Sequence, residues 1–150
     1  MRRTSLSLIF AFSLGTAGLL WGGGQEAGDK ELKKLQGTWK FTAQVMDGKE
    51  RPADELKDLK ITFAGDKFTV REGDKVVQAG THKFNVAKKP IQVDAQITEG
   101  EGKGSTMLGI YEMKGDMVKV CFDPQGKERP TSFTAKEGQF SAVIQREKKK

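Results

Sequence analysis

Hydrophobic and polar residues alternate through most of the chain, and the phase of that alternation predicts its strands. Trp39, Phe41, Ala43 and Val45 fall on one face of a first strand, with Thr38, Lys40, Thr42 and Gln44 on the other. Successive side chains leave a pleated backbone on opposite sides, so this pattern marks a strand with one buried face. Leu59, Ile61 and Phe63 repeat it, followed by Phe68 and Val70, and then by His82, Phe84 and Val86 against Thr81, Lys83 and Asn85. Ile91, Val93, Ala95 and Ile97 supply the next interior set. Met107, Tyr111 and Met113 share a face of the following strand, and Val118, Val120 and Phe122 share one opposite Lys119 and Cys121.

The breaks between these runs carry turn chemistry. Gly65-Asp66, Gly73-Asp74 and Gly115-Asp116 each sit between strand-like residues, as tight antiparallel hairpins require, and Asp47-Gly48 ends the first strand. Residues 52 to 59 begin with Pro52 and carry acids early, which predicts a short helix after the first strand. Residues 29 to 35 suit one or two helical turns. Glu99 to Ser105 has Gly100, Gly102 and Gly104 and reads as a flexible loop, and residues 123 to 130 as another. Thr131 to Ala135 and Gln139 to Arg146 predict a final hairpin across Lys136-Glu137-Gly138. The fold class is therefore all-β, an antiparallel up-and-down barrel of about eight or nine strands with one short helix, favoured over a sandwich because closure leaves no open edge.

The first 24 residues have a different character. Arg2 and Arg3 precede an apolar run from Leu6 to Trp21, and Gly22, Gly23 and Gly24 lead into Gln25 and Glu26. A positive end, an apolar middle and a small-residue exit are the order of a secretory signal, with cleavage expected after Gly24. An uncleaved anchor is the alternative, although the run, at about 16 residues, is short of the ~20 of a membrane span. The expected organisation is a leader over 1 to 24, a flexible lead over 25 to 34, the barrel over 35 to 147 and a basic tail over 148 to 150. The expected location is extracytoplasmic: periplasm, cell envelope or outside the cell.

Composition fits one domain of modest core. The 150 residues are 36% hydrophobic and 31% charged, with 26 basic residues against 20 acidic ones. Loss of Arg2 and Arg3 would leave 24 against 20, a net charge of +4. That balance lacks a basic stripe interleaved with aromatics, so nucleic acid is not an expected partner. A lone Cys121 in an exported chain cannot form an internal disulfide, which leaves a buried small hydrophobe, a free thiol or an intermolecular link.

Leu35-Gln36-Gly37-Thr38-Trp39-Lys40, at the start of the first strand, resembles the Gly-x-Trp signature of lipocalins and their calycin relatives. Taken with Leu56-Lys57-Asp58-Leu59-Lys60-Ile61-Thr62-Phe63, Gly65-Asp66-Lys67-Phe68, Leu108-Gly109-Ile110-Tyr111-Glu112, Cys121-Phe122 and Glu128-Arg129-Pro130, the chain is similar to a lipocalin-like family of exported proteins found mainly in planctomycete bacteria. The resemblance covers nearly all of residues 32 to 147. It implies an antiparallel barrel and brings no established activity. It also implies a structural signature of Gly37, Trp39 and Arg146, with Trp39 at the closed end beneath Arg146, a cation over an indole worth ~0.5 to 2 kcal/mol.

Candidate chemistry is sparse. His82 is the single histidine, so neither a metal centre nor a Ser-His relay has a spaced partner, and no metal, cofactor or catalytic residue is assigned. Lys119 on the same face as Cys121 is an arrangement that can lower a thiol pKa. Arg129 offers a planar fork for a carboxylate or phosphate, or for a neighbouring acid. Seven phenylalanines fall on predicted strands and suit either core filling or an apolar cup. The expected function is binding of a small apolar or amphipathic ligand by a monomer, with His82, Phe84, Tyr111 and Arg129 as candidate contacts. The alternative is a protein-interaction or inhibitor module with a packed interior, and an enzyme comes third.

Overall fold

In the computed structural model, residues 18–148 are described, with side chains from residue 27 onward. The leader expected over residues 1 to 24 lies outside the described residues up to position 17, as do the last two lysines of the tail. Among the described residues the strands run in chain order as β1 (Gly37–Met46), β2 (Lys49–Glu50), β3 (Leu59–Ala64), β4 (Lys67–Glu72), β5 (Lys75–Asn85), β6 (Ile91–Gly100), β7 (Thr106–Lys114), β8 (Met117–Asp123) and β9 (Phe140–Arg146). Two helices accompany them, α1 (Gly18–Leu35) and α2 (Ala53–Leu56), the latter directly after Pro52.

All pairings are antiparallel between neighbours, and β9 returns to pair with β1, so eight strands close into an up-and-down barrel. The ninth, β2, is a short extra strand on the end of β1. Gly65, Gly73 and Gly115 have φ of +62°, +60° and +56° at the first position of two-residue turns. That is the hairpin type whose twist matches the strands it joins. Asp47 and Gly48 are both left-handed, the mirror-image turn that Asp-Gly favours, and it delivers β2.

The interior follows the alternation over most of its course. Trp39, Phe63, Val93, Ile97, Tyr111 and Val118 are all buried. Register shifts interrupt the pairing of β4 with β5, β5 with β6 and β1 with β9, and the last moves residues expected inside. A β-bulge between Phe41 and Ala43 shifts the register against β9, so Gln44 stands opposite Ala142 and Met46 opposite Phe140. Cross-strand partners share a face. Ala142 and Phe140 line the interior, so Gln44 and Met46 turn to that side and Ala43 and Val45 turn away, contrary to the unbroken alternation expected from Trp39.

Two other expectations change. Residues 131 to 134 form bends, and Ala135 belongs to no regular element, where a strand was expected. Their expected hairpin partner, β9, is already paired with β8 on one side and with β1 on the other, which leaves no edge for them to join. The helical turns expected over residues 29 to 35 belong to the longer α1, despite the poor helix propensity of three consecutive glycines. Docking of its C-terminal end explains the difference, since short helices owe most of their stability to packing. The loop after β6 is also more ordered than its glycines suggest: Gly104 N donates to Ile97 O at 2.9 Å and Ser105 N to Gly102 O at 2.9 Å.

Candidate functional site

One end of the barrel is plugged by the end of α1. Leu35 is buried there, and the Trp39 indole N–H donates to the Leu35 carbonyl at 2.7 Å. The Arg146 guanidinium lies 4.3 Å from the centre of the Trp39 ring. Its nitrogens donate to the carbonyls of Gln36 and Lys34 and to the Asp116 carboxylate. A cation here meets carbonyls that the helix leaves without intrahelical partners, and it complements the negative end of the helix dipole. Gly37, with φ of +113°, makes the bend between α1 and β1 beside Arg146.

Below this plug is a cavity of about 90 Å³. Its wall includes Phe63, Phe68, His82, Phe84, Tyr111 and Leu35, and among the described residues no lining side chain carries a carboxylate, ammonium or guanidinium. The rings form a connected row. The His82 centroid is 5.8 Å from that of Phe68 and 5.0 Å from that of Phe84, and Phe84 is 5.0 Å from Tyr111. Phe63 approaches His82 from another side at 5.3 Å. Such separations are those of favourable aromatic pairs.

The polar atoms within this wall differ in status. Tyr111 Oη is 3.4 Å from the Glu31 carboxylate of α1, and burial together with that carboxylate pushes the phenol well above its ordinary range. Gln78 donates from Nε2 to the Glu101 carbonyl at 2.8 Å. His82 is 5% exposed and its Nε2 has no hydrogen-bond partner among the described residues. Burial holds the imidazole neutral by lowering its pKa to about 4, against the opposing effect of the Asp66 charge. A neutral ring with a free nitrogen can give or accept one hydrogen bond, depending on its tautomer.

Of the four candidate contacts, the structure brings His82, Phe84 and Tyr111 together and places Arg129 elsewhere. Arg129 lies on the outer surface, beside Lys83, Asn85, Gln92 and Asp94. It donates to the carbonyls of Val93 and Gly109 at 3.0 and 2.8 Å and to Asp94 at 2.6 Å. Those bonds clamp the segment after β8 onto β6 and β7, so Arg129 is a brace and does not line the aromatic cavity.

Asp123, which the alternation does not mark, organises that same segment. Its carboxylate accepts the backbone N–H groups of Gln125, Lys127 and Glu128 at 2.8 to 3.0 Å. Burial alone would raise its pKa, but these donors hold it below the usual carboxylate range. The Asp-Pro-Gln-Gly run at 123 to 126 is the turn signal through which it was recognisable. Glu31 carried no such signal. Cys121 is a free, fully buried thiol, and burial pushes its pKa up. Lys119 shares its face but is exposed, so the activated thiol that this pairing can create is not formed.

No family model, curated protein or solved structure matches this chain. Among the described residues no three or more His, Cys, Asp or Glu side chains gather as metal ligands, and no helix is long and apolar enough to cross a membrane.

Proposed function

We propose that the chain is an exported, lipocalin-like barrel that binds a small apolar or amphipathic molecule in the cavity beneath α1. The observation that carries this reading is the unpartnered His82 Nε2 in the aromatic wall of that cavity. A buried polar atom without a partner costs roughly 1 to 3 kcal/mol, so its retention needs a reason. An incoming polar group is such a reason. The cavity, at about 90 Å³, is on the order of the ~150 Å³ dry cavities that admit benzene, and below the ~300 Å³ of a drug-sized pocket. The ligand is accordingly no larger than about one ring. Export rests on the residue order from Arg2 to Gly24.

The interaction-module alternative draws less support. Met46, Val76 and Met117 are the exposed large hydrophobics among the described residues, and they sit on three separate strands. A benzene titration followed by methyl NMR tests the binding reading. Saturable shifts at Val93, Ala95 and Val118 are expected. Unchanged interior methyls up to benzene saturation would refute it.

A further inference from the structure

We infer that the ligand of this cavity is an uncharged single-ring molecule whose hydroxyl group hydrogen-bonds to His82. This rests on the binding reading above and narrows it to a chemical class.

The wall decides against charge. Among the described residues no lining side chain is ionised at neutral pH, since His82 is held neutral and Tyr111 protonated. A carboxylate entering this space would lose its water and find no cation. The acidic Glu31 behind Tyr111 adds repulsion. An ammonium would find aromatic faces, yet no carboxylate lies in the wall to pair with it.

The wall also decides where a polar group goes. Tyr111 and Gln78 each already have a partner, in Glu31 and the Glu101 carbonyl, whereas His82 Nε2 has none among the described residues, so it gains most from a ligand's polar group. A water held there would need two to four polar neighbours, and this stretch of wall supplies one. A hydroxyl attached to a ring needs only that one, because the surrounding aromatic faces take the rest of the molecule. It suits either imidazole tautomer, being both donor and acceptor, whereas a ketone suits only the tautomer that carries its proton on Nε2. The ring centres of Phe63, Phe68 and Phe84 lie 5.3, 5.8 and 5.0 Å from that of His82, so a ring whose hydroxyl meets His82 has aromatic neighbours to pack against.

The experiment compares toluene, phenol and benzoate. Toluene and phenol differ by a methyl against a hydroxyl at nearly equal volume. His82 is the single histidine, so selective nitrogen labelling of histidine reports it without assignment. Phenol is expected to bind at least as tightly as toluene and to move the His82 Nε2 resonance, with benzoate weaker than phenol by tenfold or more. In His82→Leu, a substitution of similar volume, the phenol-to-toluene affinity ratio is expected to fall by about tenfold, the loss of roughly one hydrogen bond. Toluene and phenol binding without movement of the histidine resonance would overturn the hydroxyl assignment and leave the cavity reading standing. Benzoate binding as tightly as phenol would overturn the exclusion of charge. Failure of all three to bind would overturn both readings together.

Discussion

The plugged end of the barrel and the aromatic cavity directly beneath it are built from the same strands, but they treat polar atoms differently. At the plug, the Trp39 N–H and the Arg146 guanidinium all reach acceptors, and the end of α1 has its carbonyls met. In the cavity, His82 is set among three phenylalanine rings and its Nε2 has no partner among the described residues. A satisfied network stabilises and orients, which is a structural task. An orphaned atom at the wall of a hollow costs stability instead. The contrast separates two aromatic-polar clusters that residue type alone makes equivalent.

The largest test removes the plug. Trp39→Ala deletes a fully buried indole, its hydrogen bond and its cation contact, and should destabilise the protein by about 3 to 5 kcal/mol in denaturant titration. A loss below about 1 kcal/mol would show that the plug does not hold the barrel.

The second test addresses His82 through pH. Its folded pKa is near 4 and its unfolded value near 6.5, so between these limits the unfolded chain binds more protons. Stability is full above pH 6.5 and falls as pH approaches 4, by about 2 to 3 kcal/mol from pH 7.5 to 4.5. The carboxylates titrate over part of this window, so the measurement is the difference from His82→Leu, which should lack this component. Identical pH profiles for the two proteins would contradict the buried neutral imidazole.

The smallest effect is expected at the join between the regions. Tyr111→Phe removes the phenol that contacts Glu31 while keeping the ring beside Phe84, and should cost about 0.5 to 1.5 kcal/mol. Hydrogen exchange should quicken in the last two turns of α1 and stay unchanged in β8. Uniform quickening would mean that the contact is not local to the plug.

Much of this was legible because strand alternation is a local property. It placed His82, Phe84 and Tyr111 on the inner surface, and the Gly-Asp pairs located three hairpins. The bulge after Phe41 was not legible, since an inserted residue shows only against the partner strand, here β9 about 100 positions away. Arg129 escaped for a related reason. The chain between β8 and β9 has no period, so its route over the outside of the barrel is fixed by Asp123 gathering three amides and by the carbonyls Arg129 meets. The alternating look of residues 131 to 135 misled because it cannot register that every edge is taken. Gly109 was legible only as part of a resemblance. Its role is steric, because a Cβ there would run into the Phe122 ring lying across it.

The seam between β1 and β9 has a consequence for how the molecule is made. Thr42 bonds to the carbonyl of Val143, and the Glu147 amide to that of Thr38, so the first and last strands meet only after nearly all of the intervening chain has been synthesised. Contacts this distant in sequence form slowly. A chain that stops before residue 140 lacks β9 and therefore leaves the facing sides of β8 and β1 as unpaired edges, the form of sheet most prone to pair with another chain.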